Sequence, residues 1–124
     1  MAKQFPFPAS IRLKQEKRIT QIFREGKLHR LAIVQAKVLP SHGETPGFLI
    51  SVRKQVGTAP ERNRLKRLVR ESLRRHRQDL GAPFDICIFI TRRPPWPVRL
   101  AQVESDIRTL FTRLGAKKKP PEDS

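Results

Sequence analysis

Residues 51–80 read SVRKQVGTAPERNRLKRLVRESLRRHRQDL and predict a long helix with a well-marked start. Thr58 and Glu61 have the spacing of a capping box, in which the threonine hydroxyl accepts from the glutamate amide and the carboxylate accepts from the threonine amide. Pro60 falls in the first turn, where its missing N–H costs nothing. We expect the helix to run to about Gln78 or Leu80 and to stop before Gly81.

This predicted helix has two chemically different faces. At 100° per residue, an arc of roughly 140° collects the side chains expected to pack on the rest of the protein: Leu65, Leu68, Val69, Ser72, Leu73 and His76. The opposite side collects cations: Lys66, Arg67, Arg70, Arg74 and Arg77. One face is therefore predicted to dock on a sheet, and the other to be strongly basic.

The charge of the whole chain indicates a polyanionic partner. Its 124 residues include 27 Lys and Arg against 11 Asp and Glu, which gives a net charge of +16. Between Arg53 and Arg77 the acids are only Glu61 and Glu71, too few to neutralise the cations through i,i+4 pairs. A face that serves solubility alone would mix the two signs, and arginine, which predominates here, suits phosphate contact and stacking on bases. The pattern favours nucleic acid.

Several other classes of protein and site are disfavoured. No apolar run approaches the roughly 20 residues that span a bilayer, and the N-terminus lacks the apolar core of a signal peptide, so we expect a cytoplasmic protein without membrane contact. Cys87, the single cysteine, lies in an apolar run and is predicted to be an inert buried thiol. The three histidines, His29, His42 and His76, are scattered, so no zinc site is expected.

The remaining elements follow from apolar periodicity and from turn residues. In chain order we predict a helix over 14–24 that ends at Gly26, strands over 31–39 and 48–52 that suggest an antiparallel hairpin, the long helix, a strand over 84–91, and a helix over 100–114. The order α-β-β-α-β-α predicts an α+β fold, an α/β sandwich with a small mixed sheet. The second strand, long helix and third strand form a βαβ unit whose strands should be parallel.

The chain length fits one domain. We place it over residues 11–114, after an extended segment over 1–10 and before a disordered tail over 115–124. The Pro-rich loop RRPPWP at 92–97 cannot be regular structure, and its Trp96 is expected to cap the core.

The sequence resembles those of the bacterial ribonuclease P protein family. The resemblance rests on SVRKQVG at 51–57 followed by RNRLKRLVRE at 62–71, in the order and spacing of that family's signature. It extends to RLK at 12–14, IF at 22–23, DI at 85–86 and the last helix, and so covers about residues 11 to 114.

The resemblance implies a subunit without catalytic residues of its own, which assists a catalytic RNA in removing the 5′ leader of precursor tRNA. Mg²⁺ would act through the RNA, and the protein would be a monomer in a 1:1 ribonucleoprotein. The family also implies a left-handed βαβ crossover, against the general preference. It assigns contact with the RNA subunit to Arg62, Asn63, Arg64, Lys66, Arg67, Arg70 and Arg74. It assigns a leader-binding cleft to Arg12, Phe23, Lys37, Ser51, Arg53 and Lys54.

The sequence departs from the family pattern in the predicted cleft. Ile19 and Lys37 stand where the family commonly presents aromatic rings, and Arg53 and Gln55 stand where it often has Ser and Lys. Stacking on a base needs a flat ring, so leader contact here is expected to depend more on charge. Phe23 is equally compatible with the core and with base stacking, because it lies at helical spacing from Ile19.

Two other functions are alternatives for a chain of this charge. A structural RNA-binding protein, such as a small ribosomal protein, would have the same charge, and only the Arg-Asn-Arg signature argues against it. A stand-alone metal-dependent nuclease would need clustered carboxylates, and the acids here are dispersed along the chain.

Overall fold

The computed structural model describes residues 15–43 and 46–115. Its helices and strands are α1 Glu16–Glu25, β1 Lys27–Arg30, β2 Gln35–Pro40, β3 Gly47–Val52, α2 Ala59–His76, β4 Phe84–Ile90 and α3 Leu100–Arg113. Short 3₁₀ turns follow β3 and α2 at Lys54–Val56 and Arg77–Asp79. The segment predicted to be extended, 1–10, and nearly all of the predicted tail lie outside the described residues.

The four strands form one mixed sheet in the order β1-β2-β4-β3. β1 pairs with β2 and β2 with β4 in antiparallel fashion, whereas β3 and β4 are parallel. The parallel pair confirms the predicted βαβ unit, and the mixed sheet with packed helices confirms the predicted α+β class.

The antiparallel hairpin predicted between the strands over 31–39 and 48–52 is wrong, because β4 lies between β2 and β3. Ile88 of β4 is opposite Ala36 on one side and Ile50 on the other. β4 is the most apolar strand, and five of its seven residues are buried. A strand of this kind gains most from hydrogen-bonded neighbours on both edges and cover on both faces.

The predicted strand over 31–39 begins too early, since residues 31–34 form the turn of the β1–β2 hairpin. Asp106 of α3 holds this turn: its carboxylate accepts from the amides of Ala32, Ile33 and Val34 at 3.2, 2.7 and 3.0 Å. β1 itself was not predicted, because its sequence KLHR has three polar residues in four.

Helices α2 and α3 cover one face of the sheet, and this layer contains the main hydrophobic core. The start of α2 was predicted correctly: Glu61 N donates to Thr58 Oγ1 at 3.3 Å, and Thr58 N donates to Glu61 Oε1 at 2.9 Å. The predicted packing face is confirmed at five buried residues, Leu65, Leu68, Val69, Ser72 and Leu73. His76, the sixth predicted member, is half-buried, and its Nε2 lies 2.7 Å from Glu104 Oε2 on α3. Trp96 packs against this core, as predicted.

Helix α1 covers part of the opposite face. Gly26 is its C-cap, and a Cβ there would lie 2.4 Å from the carbonyl oxygen of Ile22, so the close approach of the chain requires glycine. Arg18 is buried under this layer and donates to Asp85 Oδ2 at 2.8 Å and to the Pro40 carbonyl at 2.7 Å. Cys87 is buried, as predicted, and burial raises the pKa of its thiol to about 11.

Candidate RNA-binding interface

The outer face of α2 presents the predicted cations at the surface. Asn63, Arg64, Arg67 and Arg74 are exposed, and Arg62, Lys66 and Arg70 are half-buried. The side chains of Asn63, Lys66 and Arg67 have no hydrogen-bond or ion-pair partner within 15–43 and 46–115. These three groups can therefore contact a phosphate or a base without breaking an existing interaction.

Other cations on this helix are already partly engaged. Arg62 donates to the Gly57 carbonyl at 2.7 Å, and Arg64 donates to the Val98 carbonyl at 3.2 Å. Each uses one of its N–H groups, and a guanidinium has five. These two contacts hold the guanidinium groups of both side chains near the start of α2.

The expectation that the helix cations lack neutralising partners is wrong at Glu71. This carboxylate accepts from Arg74 and, at 3.3 Å, from Arg75. Hydrogen bonds from Arg74 lower the pKa of Glu71. The spacings are i,i+3 and i,i+4, at which helix side chains meet. The free positive charge is thus concentrated on the first half of α2.

A second candidate surface is the part of the sheet that α1 leaves open, which we call the cleft. Alternation along the strands places Lys37, Ser51 and Phe89 on this face, with Ser51 directly opposite Phe89. The rings of Phe23 and Phe89 lie 5.5 Å apart at 49°. Lys37 Nζ donates to the Phe23 carbonyl and lies 6.0 Å from the centre of its ring.

The structure thus brings together most of the residues predicted for the cleft. Arg53 and Lys54 are exposed just after β3. Arg12 lies outside the described residues. Phe23 is half-buried and is not part of the main core, so its position favours neither of the two predicted roles.

The sequence interpretation missed Phe89. This residue lies in the run ICIFI, in which every residue is apolar, so the run does not show which side chains face the core. The signal that could have found it is the alternation in β4: Ile86, Ile88 and Ile90 pack in the main core, which assigns Phe89 to the opposite face. An aromatic ring is therefore present in the cleft although Ile19 and Lys37 supply none.

A depression of about 500 Å³ continues the cleft at the end of the sheet. Its polar lining includes Arg30, Arg92 and Gln35, and the Gln35 amide donates to Thr91 Oγ1 at 3.2 Å. Both arginines are exposed. The cationic surface is accordingly longer than the predicted residues alone suggest.

The described acids do not form a site for a metal ion. No group of three or more His, Cys, Asp or Glu within 15–43 and 46–115 could hold one. Asp85 is paired with Arg18, Asp106 is occupied by three backbone amides, and Glu104 lies 2.7 Å from His76 Nε2. These three carboxylates are thus engaged by other groups of the protein. No helix in the described part of the chain is long and apolar enough to cross a membrane.

This fold, with a cationic helix beside an aromatic and cationic cleft, has the features of a small polyanion-binding protein. Comparison with known proteins identifies the family. The family model described as Ribonuclease P matches residues 7–115. The chain belongs to the ribonuclease P protein family.

Individual relatives agree with this assignment. The chain is similar to the ribonuclease P protein component of Desulforapulum autotrophicum, with 31% identity over 89% of this chain and 93% of the relative. It is 36% identical to that of Exiguobacterium sp. over 82% of this chain and 88% of the relative. The solved RNase P protein of Thermotoga maritima superposes with a TM-score of 0.70 and 27% identity, covering 82% of this chain and 96% of that one.

Proposed function

We propose that this chain is the RNA-binding protein subunit of ribonuclease P, that it binds the catalytic RNA through α2, and that it holds the 5′ leader of precursor tRNA in the cleft. One protein would bind one RNA. The complex would act in the cytoplasm. The observation that carries the proposal is the juxtaposition of two surfaces, the first half of α2 and the cleft, which a single short connection joins at residues 53–58.

The α2 surface suits a folded RNA. Lys66 and Arg67 are available cations, and the amides of the first helical turn add the positive end of the helix dipole. Arginine makes bidentate contacts with phosphate and stacks on bases. We assign contact with the RNA subunit to Arg62, Asn63, Arg64, Lys66, Arg67, Arg70 and Arg74.

The cleft suits a single strand. Proteins that bind single-stranded nucleic acid combine a cationic groove with aromatic rings on which bases stack. Here Phe23 and Phe89 supply the rings, and Lys37, Arg53 and Lys54 supply charge. We therefore revise the expectation from sequence: leader contact uses stacking on this ring pair together with charge.

Catalysis would belong to the RNA subunit, whose bound Mg²⁺ activates water for phosphodiester hydrolysis. The protein would contribute positive charge, which reduces repulsion between the RNA subunit and its substrate.

Reconstitution tests the proposed function. Purified protein alone should leave precursor tRNA intact, and addition of a bacterial ribonuclease P RNA should give a single cut at the mature 5′ end. At low Mg²⁺ concentration the RNA should need the protein. Cleavage by the protein without RNA would mean that it is a nuclease in its own right, and failure to support cleavage by the RNA would leave only a structural RNA-binding role.

The ring pair in the cleft gives a second prediction. Phe23→Leu should weaken holoenzyme binding of precursor tRNA by the value of one stacked base, about 1 to 3 kcal/mol, and leave mature tRNA binding unchanged. The core should lose less than about 1.5 kcal/mol, because leucine has a similar bulk. The measurements are holoenzyme affinity for the two tRNAs and urea unfolding of the protein.

Phe111→Leu is the matched control, because Phe111 is 2% exposed in the main core. It should lower stability without changing the preference for precursor tRNA. If Phe23→Leu behaves like this control, Phe23 is a packing residue and does not contact the leader.

A further inference from the structure

Arg93, in the loop between β4 and α3, reaches across to the start of α2. Its guanidinium makes two hydrogen bonds to the Glu61 carboxylate, Nη1 to Oε1 at 2.8 Å and Nη2 to Oε2 at 3.1 Å. Nη1 also donates to the Val56 carbonyl at 3.1 Å. The guanidinium lies 5.5 Å from the centre of the Trp96 ring, which itself packs on the core. One side chain therefore ties the helix, the preceding turn and the core together.

The place that Arg93 ties is the connection between the two candidate RNA surfaces. Residues 53–58 leave the cleft at the end of β3 and enter α2, where the Arg-Asn-Arg motif begins four residues after Thr58. Glu61 belongs to both contacts, since the same carboxylate closes the capping box and accepts from Arg93. The contact thus lies between the end of β3 and the start of α2.

Gly57 is part of the same arrangement. A Cβ at this position would lie 2.4 Å from Glu61 Oε1 and 2.9 Å from Arg93 Nη1. The glutamate and arginine side chains thus close directly over the backbone of the turn, and a side chain at position 57 would displace their ends.

Without a partner, the negative charge of Glu61 would weaken phosphate binding at the start of α2. Glu61 is an acid one residue before Arg62, in the part of α2 that offers most of the available positive charge. The arginine hydrogen bonds and the Thr58 amide lower the pKa of Glu61 to about 2, so it is ionised at neutral pH. Arg93 offsets this charge, which reduces repulsion of a nearby phosphate.

We propose that Arg93 is a positioning residue that, through Glu61, holds the start of α2 at a fixed place beside the cleft, so that the RNA subunit and the leader are bound together. This inference rests on the proposed function. In this role the Arg93 guanidinium binds the Glu61 carboxylate and the Val56 carbonyl, and it does not contact a phosphate of the RNA.

Two variants test this role in the reconstituted holoenzyme. Arg93→Ala removes the tie, and Glu61→Gln keeps an oxygen for the Thr58 amide but removes the ionic contact. Each should weaken precursor tRNA binding about five- to tenfold, and the double variant should be no weaker than the stronger single one, because residues in one network are not additive. The slope of log affinity against log salt should stay as in the wild type, since no phosphate contact is lost.

Arg108→Ala is the control for loss of one positive charge. Arg108 is exposed on α3 and has no hydrogen-bond or ion-pair partner in the part of the chain that the structure describes. Urea unfolding of every variant separates positioning from stability: a variant that is less stable but binds precursor tRNA normally would show that the contact serves the fold alone.

Each of the other outcomes also decides the question. If Arg93 contacts phosphate directly, Arg93→Ala should lower the salt slope by about 0.7, and Glu61→Gln should strengthen binding by releasing the arginine. Either result overturns the inference and leaves the proposed function standing. If the wild-type holoenzyme itself fails to bind precursor tRNA, the proposed function fails, and the inference fails with it.

Discussion

Replacing Asp85 by alanine should lower the free energy of unfolding by about 3 to 5 kcal/mol, since it leaves Arg18 buried without its partner. The two side chains are each 9% exposed, and the Arg18 Nε to Asp85 Oδ2 distance is 2.8 Å. An ionised group in such a place loses its hydration and needs compensating contacts. The carbonyl of Pro40 and the side-chain oxygen of Gln21 remain as acceptors, but neither carries a charge. Urea unfolding of the protein alone measures the effect.

A double variant shows whether the unpaired charge is the cause. Arg18→Met combined with Asp85→Ala removes both charged groups and keeps an apolar side chain at position 18, so it should recover most of the lost stability. If the double variant is as unstable as Asp85→Ala, the cost arises from packing at the start of β4 and not from the buried charge.

Removing three cations from the middle of α2 should give the largest loss of RNA affinity. The triple variant Lys66→Ala, Arg67→Ala, Arg70→Ala should bind the RNA subunit about 100-fold more weakly at low salt, and its log–log salt slope should fall by about 2. The fold should survive, because the buried face of α2 uses other residues. Affinity measured over a range of salt concentrations checks both numbers.

The matched control removes three positive charges on and beside α3: Arg99→Ala, Arg108→Ala and Arg113→Ala. All three side chains are exposed. This control should lose much less affinity if α2 is the contact surface. Equal losses in the two triple variants would mean that binding follows total charge, and that no particular face of the protein is used.

Local signals explain what was predictable from the sequence. The capping box at Thr58 and the apolar arc of α2 are both determined by residues within a few turns of one another. The helix itself ends at His76, earlier than predicted, and a 3₁₀ turn at Arg77–Asp79 precedes Gly81. The predicted cationic face follows from the same periodicity. The pairing of Glu71 with Arg74 and Arg75 could also have been found, since its spacings are those of neighbouring helix side chains.

Contacts between distant residues explain what was missed. Arg18 and Asp85 are separated by 67 residues, and neither has a neighbour in sequence that indicates the other. The order of strands depends on which strand gains most from a central place, which no single segment reveals. Arg93 and Glu61 are 32 residues apart, and only the fold shows that the loop after β4 meets the start of α2.

β4 lies inside the sheet, and Asp106 of α3 accepts from the amides of residues 32–34. The sheet and its first turn therefore cannot be completed early in synthesis. β1 and β2 leave the ribosome early, but the carboxylate that satisfies their turn arrives 72 to 74 residues later. Contacts this distant in sequence form late, because the intervening chain must first be synthesised and then closed into a loop. Helix α2, with its own cap, can begin to form as a local unit on the nascent chain. The cleft, in contrast, is completed only after β4, which contains Phe89, has paired with both β2 and β3.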